Sequence, residues 1–257
     1  MKEGYLLVSV ADRSISILYD DAALIIKTGR GKFLCVADLH LGYSPTTSAV
    51  QLPNQRTLLL LSSKIIQISR RTRVDNLVLL GDLKHNIARV TYLDRSLISQ
   101  FFGELNSSFR TIRLVLGNHD GSITSILPDY VVAIRKGILL NHIYLMHGHT
   151  LPGPEVLKSN FIVMGHLHPT FYKEHSPLNG QRVWILMTLY LKSLFPKRSI
   201  LYNLIIMPSF NPETSSSSNL LYSHTFSSRT SPLLNRCQKE IVRIKTISLN
   251  GAILAEA

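Results

Sequence analysis

The chain has 257 residues, 45% of them hydrophobic, with 28 Lys and Arg against 16 Asp and Glu and only two cysteines. That length can fill a large core, and cysteines as unrelated as Cys35 and Cys237 exclude both a disulfide framework and a thiolate zinc site. The formal net charge of +12 favours phosphate-bearing or polyanionic partners such as DNA or RNA, although charge supplies affinity and no chemistry. The start, Met1-Lys2-Glu3, has no apolar h-region, and no apolar run reaches the ~20 residues of a spanning helix. The expectation is a soluble, cytoplasmic protein with one domain over residues 1–257 and no membrane contact.

In chain order, Tyr5 to Val10 and Ser14 to Leu18 read as strands around a turn at 11–13, and Ala23 to Lys27 as a third strand ending at Gly29-Arg30-Gly31. Phe33 to Ala37 is a nearly continuous apolar run, the pattern of a strand buried on both faces, and Cys35 inside it reads as a small buried hydrophobe. After a loop from Pro45 to Pro53, Asn54 can cap a helix to about Arg71, with Leu58, Leu61, Ile65 and Ile68 at helical spacing. Leu77 to Leu80 is the next buried strand. Thr91 can cap a second helix to Leu105, whose Leu93, Leu97, Phe101 and Leu105 share a face, and Ile112 to Leu116 follows as a strand. Val131 to Ile134, Ile138 to Leu140 and Ile143 to Met146 are closely spaced and suit an antiparallel second sheet. Phe161 to Met164, Val183 to Leu191, Ile200 to Met207 and Glu240 to Ser248 read as further strands, and the Ser-rich stretch 212–232 as an exposed loop.

Five short blocks stand directly after five of these runs: Asp38-Leu39-His40, Gly81-Asp82-Leu83-Lys84-His85, Gly117-Asn118-His119-Asp120, His147-Gly148-His149 and Gly165-His166-Leu167-His168. Ligands bind beyond the carboxyl ends of such strands, so one sheet edge would gather Asp, Asn and His into a metal site of oxygen and nitrogen donors. Residues two apart on an extended segment point the same way, so Asp38 and His40 can grip one cation, as can His166 and His168. A single Asp or His of this kind is more often a cap or a core hydrogen bond, but five blocks in one post-strand position argue for chemistry. Tyr43, Lys84 and His175 are further candidates for substrate contact, with core packing or solvation as their plainer roles. His142 and His224 read as surface residues.

The motifs D-x-H, G-D-x-x-H, G-N-H-D, a lone His and G-H-x-H, in this order, resemble those of the calcineurin-like metallophosphoesterase superfamily. The strings Val36-Ala37-Asp38-Leu39-His40-Leu41-Gly42-Tyr43 and Gly81-Asp82-Leu83-Lys84-His85 look most like the archaeal phosphoesterases related to the SbcD nuclease, and Met207-Pro208-Ser209-Phe210-Asn211-Pro212 is similar to a late motif of that group. The resemblance implies an α/β fold, a four-layer sandwich of two mixed β-sheets flanked by helices, with two divalent metals at one edge. It implies one ion between Asp38, His40, Asp82 and His168 and a second between Asp82, Asn118, His147 and His166, with Asp82 bridging. Imidazole and carboxylate donors suit Mn, with Fe or Zn as alternatives, and a bridging water would be the nucleophile.

The same resemblance casts His119 at the leaving group, with His85 and Asp120 tuning it, and leaves His149 as a phosphate contact. The nuclease of that group carries a capping domain for DNA, and no segment here is long enough to replace it. The expected function is hydrolysis of a phosphodiester in nucleic acid or a nucleotide. The rivals are a phosphomonoesterase on the same metals and a metal-stabilised nucleic-acid-binding protein without turnover.

Overall fold

In the computed structural model, which describes residues 5–6, 14–43, 53–214 and 231–256, the chain first lays down four antiparallel strands. These are β1 (Tyr5–Leu6), β2 (Ile15–Leu18), β3 (Ala23–Thr28) and β4 (Gly31–Val36). Helix α1 (Pro53–Thr72) then returns the chain so that β5 (Asn76–Leu80) lies parallel to β4, and α2 (Tyr92–Asn106) does the same for β6 (Thr111–Val115). A short 3-10 turn, Ile123–Ser125, leads to β7 (Val131–Ile134), parallel to β6, which completes a seven-stranded sheet in the order β1-β2-β3-β4-β5-β6-β7.

The second sheet is built from β8 (Ile138–Leu140), β9 (Ile143–Met146), β10 (Phe161–Met164), β11 (Val183–Leu189), β12 (Tyr202–Ile206), β13 (Ile241–Ser248) and β14 (Ile253–Glu256). A short helix, α3 (Pro232–Cys237), precedes β13. The strand order is β14-β13-β11-β12-β10-β9-β8, and β9, β10 and β12 run parallel to one another.

Two expectations are corrected here. Val131 to Ile134 does not join the second sheet: Leu116 N–H donates to the Ile134 carbonyl at 2.8 Å, and the connection from β6 is long enough for a crossover back to the same sheet. The antiparallel reading of these closely spaced strands holds for β8 and β9 but not for β9 and β10, which run parallel, so the second sheet is mixed, as the resemblance implied.

Three apolar layers account for the continuous apolar runs. On one face of the first sheet, Leu34, Val36, Leu77, Leu79 and Leu114 pack on Leu58, Ile65, Phe101 and Phe102 of α1 and α2. Between the sheets, Cys35, Val78, Leu80 and Val115 meet Ile143, Leu145, Val163 and Ile205. Outside the second sheet, Tyr144, Ile162, Met164 and Leu204 are covered by Leu233, Leu234 and Cys237 around α3. Each such side chain contributes roughly 1.5–3 kcal/mol on burial. The result is helices, sheet, sheet and short helices, so strands in the middle of each sheet are buried on both faces.

Thr91 caps α2 as expected, its hydroxyl accepting from Asp94 N–H at 3.1 Å while the Asp94 carboxylate accepts from Thr91 N–H at 2.8 Å. Of the four residues expected on its core face, Leu97, Phe101 and Leu105 are buried, but Leu93 is 46% exposed and Ile98 and Phe102 take the remaining space. Helix α1 already includes Pro53 and Asn54, so Asn54 lies within the helix rather than capping it; proline is at home in a first turn, where its missing N–H costs nothing. Most of the Ser-rich stretch 212–232, the segment 7–13 and His224 lie outside the described residues. No described helix is long and apolar enough to cross a membrane.

Candidate metal centre

The five blocks follow β4, β5, β6, β9 and β10 and meet at one edge of the sandwich. Asp38 (φ 58°), His40 (φ 45°), Asp82 (φ 51°), His166 (φ 72°) and His168 (φ 43°) all occupy the left-handed region. β4, β5 and β10 therefore end on sharp turns that swing an Asp or His side chain inward, at a cost on the order of 1–3 kcal/mol per residue. The glycine before Asp82 is required by proximity as well as by its φ of +79°: a Cβ at Gly81 would collide with the His147 ring. A Cβ at Gly117 would likewise strike the Asp82 carboxylate.

Among the described residues three donor groups result, each with donor atoms within 4.8 Å of one another: Asp38, His40, Asp82 and His168; Asp82, His147 and His166; and an all-histidine group of His40, His85 and His119, so that two clusters contain carboxylates. In the first, His40 Nε2 is 3.2 Å from His168 Nε2 and 3.6 Å from Asp82 Oδ2, and His168 Nε2 is 3.4 Å from Asp38 Oδ1. In the second, His147 Nε2 is 3.3 Å from Asp82 Oδ1 and 3.2 Å from Asn118 Oδ1. Asp82 thus turns one oxygen toward each cluster. The residues fit divalent cations: two nitrogens each about 2.1 Å from a common ion at a right angle stand about 3 Å apart. The donors are carboxylate, amide and imidazole with no thiolate among them.

The electrostatics also suit a cation. Burial alone would raise Asp38, yet the charge and hydrogen bond of His168, with His147 nearby, hold it below the ordinary carboxylate value. Asp82 is held down in the same way, against the effect of burial, by His147 and His40. Burial pushes His40 down to about 3 and His166 down to about 4, so both offer lone pairs at neutral pH. His147 goes the other way: burial opposes its charge, but Asp82 and Asp38 raise it to about 9.

Comparison with known proteins gives the family of the chain. The profile of the calcineurin-like phosphoesterases matches residues 31–188, which is more than half of the chain. The chain belongs to that family. Among proteins of curated function, no sequence matches this phosphoesterase. Among solved structures, the Pseudomonas putida nuclease MPE is similar over 93% of this chain and 94% of its own, at 15% identity and a TM-score of 0.56, and shares the fold. The E. coli phosphoesterase Yfce is similar over 88% of this chain and 97% of its own, at 17% identity and a TM-score of 0.39.

Around the clusters of this phosphoesterase, His119 places Nε2 3.8 Å from Asp82 Oδ2, and its backbone N–H donates to Asp82 Oδ1 at 2.9 Å. Its Nδ1 pairs with the His85 carbonyl, and the two rings stack with centroids 5.6 Å apart. The His85 ring also lies 3.4 Å, Nδ1 to Nδ1, from His40 and packs edge-on against Tyr43. His149 is half-buried with its ring 5.3 Å from that of His147, and burial, with His147 beside it, lowers it to about 4. Both carboxylate oxygens of Asp120 are taken by backbone amides: Oδ2 by Gly117 N–H at 2.8 Å, and Oδ1 by Leu83 N–H at 2.9 Å and Lys84 N–H at 3.4 Å. Burial pushes that carboxyl up.

Lys84 is buried rather than solvated, donating from Nζ to the Asn86 carbonyl. His175 is not brought to the site but sits exposed beside Glu174, and His142 is half-buried with its ring 6.0 Å from that of Phe161.

The string Met207 to Pro212 has a role that its letters did not disclose. Ser209 Oγ donates to the Asp38 carbonyl at 2.7 Å, Asn211 Nδ2 to the Leu39 carbonyl at 2.9 Å, and Phe210 N–H to the Ala37 carbonyl at 2.8 Å. Arg182 in turn holds the Ser209 carbonyl at 2.6 Å. These contacts clamp the strained backbone that presents Asp38.

Proposed function

We propose that this phosphoesterase is a dinuclear metal-dependent phosphodiesterase acting on nucleic acid or a nucleotide, a single catalytic domain over residues 1–257 related to the archaeal SbcD-type group. The observation that carries the reading is the split of Asp82, with Oδ2 3.6 Å from His40 and Oδ1 3.3 Å from His147, because a carboxylate between two donor clusters is what a pair of cations shares. Asp38, His40, Asp82 and His168 would hold one ion and Asp82, Asn118, His147 and His166 the other, with Mn favoured and Fe or Zn as alternatives. Such ions supply Lewis acidity and lower the pKa of water toward neutrality. Cytoplasmic residence accords with two cysteines that are both buried and unpaired.

The chain's own groups then divide the work. His119, its Nδ1 tied to the His85 carbonyl, keeps Nε2 for the leaving oxygen, to which it would pass a proton. His149, its ring 5.3 Å from that of His147, would contact a phosphate oxygen of the substrate. The net charge of +12 and the nuclease that shares the fold both favour a polynucleotide over a neutral substrate. The test is hydrolysis of bis-nitrophenyl and mono-nitrophenyl phosphate with Mn, followed by single- and double-stranded oligonucleotides and cyclic nucleotides. Preference for the diester and for a polynucleotide is expected; preference for the monoester would make the protein a phosphomonoesterase.

A further inference from the structure

A second site lies at the end of the sandwich away from the metal centre. A cavity of about 370 Å³ opens there between the two sheets, lined by Phe33 of β4, Arg113 of β6, Arg30, and Ile138, Leu139 and Leu140 of β8. Phe33 and Arg113 each precede a residue of the candidate centre on their own strand, Asp38 and Asn118, by five positions, or roughly 16 Å of extended chain. Alternation along β6 sends Ile112 and Leu114 to the helices and Val115 to the layer between the sheets, so Arg113 shares the inter-sheet face with Val115.

A guanidinium in that layer is chemically out of place. It lies 5.2 Å from the centroid of the Phe33 ring, and its Nη1 is shielded from solvent without an acceptor among the described residues. The cavity lining contains two arginines and no carboxylate. A shielded donor without a partner is costly, and the imbalance of charge is of the kind an anion relieves. The apolar wall of Phe33, Ile138 and Leu139 would take a hydrocarbon body, and the volume falls in the range of small-molecule sites.

We infer that this cavity binds a small amphipathic oxyanion, with a carboxylate or phosphate-type head paired with Arg113 and Arg30 and an apolar body against Phe33, Ile138 and Leu139. The planar guanidinium fork matches two oxygens of such a head. The lining holds no set of metal donors, and its one hydroxyl, Thr28 Oγ1, is engaged by donating to the Gly31 carbonyl and accepting from Arg30 N–H, so the site binds without cleaving and is separate from the phosphoesterase chemistry.

The test is titration of the isotope-labelled wild-type protein, kept in chelator so that the metal centre offers no cation, with octanoate, octylphosphonate and octanol. Binding of either oxyanion, with shifts at Phe33, Arg113 and Leu139 and a much weaker response to octanol, is expected. Which of the two binds tells whether the natural head is a carboxylate or a phosphate. Arg113→Met, which retains apolar packing on Phe33, should weaken binding at least about tenfold, whereas Asp82→Ala should leave it unchanged. Should Arg113→Met fail to fold, the wild-type spectra still decide the matter. No binding of either oxyanion at millimolar concentration, or binding that shifts none of the three residues, overturns the inference.

Discussion

The imidazole of His147 pairs through Nδ1 with the carbonyl of Leu80 at 2.8 Å, which leaves Nε2 facing Asp82 Oδ1 at 3.3 Å. Leu80 is the last residue of β5, so the strand that delivers Asp82 also fixes the tautomer and tilt of a histidine from the opposite sheet. Histidines that ligate metals are held in this way. His149 has no such anchor, and its shielded Nδ1 is unpartnered among the described residues. His147→Ala is therefore expected to lose one metal and nearly all activity, and His149→Ala to keep both metals with a raised KM. Elemental analysis and kinetics of the two variants check this; metal loss in His149→Ala instead would reverse the assignment.

Asp82→Ala removes an oxygen from both clusters and the acceptor of the His119 N–H together. Metal content well under two per chain and abolished hydrolysis are expected. Activity near that of the wild type would refute the shared-carboxylate site.

His119→Asn removes none of the residues assigned to the proposed pair of ions and keeps the backbone N–H that holds Asp82, so both metals should remain. Turnover should fall roughly 10² to 10⁴-fold, the usual worth of general acid catalysis. The loss should shrink when the leaving group is nitrophenol, which departs without a proton. An equal loss for good and poor leaving groups would count against the acid role.

Asp120→Ala leaves the amides of Gly117, Leu83 and Lys84 without their acceptor and uncouples the loops after β5 and β6. A loss of about 2–3 kcal/mol is expected, which lowers Tm by roughly 4–12 °C in a chain of this size. Thermal melts measure it directly. An unchanged Tm with collapsed kcat would instead put Asp120 among the groups that touch substrate.

Much of the candidate site was legible in the sequence because its signal is local: an apolar run too continuous for a one-sided strand, then Asp, Asn or His. What escaped depends on distant partners. The Ser209 and Asn211 clamp on residues 38 and 39 joins segments more than 170 positions apart and leaves no periodicity. The Leu80 carbonyl that orients His147 is backbone, which no letter records. Val131 to Ile134 exposes Val132 and Ala133 and is too short to declare its sheet, so strand pairing rather than pattern decided its place. Helix α3 buries Leu233, Leu234 and Cys237 but spans only six residues, too few for a helical repeat to show, and β14 is a half-exposed edge strand of four.

The left-handed backbone at Asp38, His40, Asp82, His166 and His168 sets stability and activity against each other at the same five positions. Glycine would adopt every one of those conformations without strain and would also relieve the crowding of buried charge. A directed-evolution campaign selecting this protein for heat resistance alone would therefore drift toward glycine at its own donor residues and return a robust, inert scaffold. Any thermostable version has to be screened for turnover in the same round.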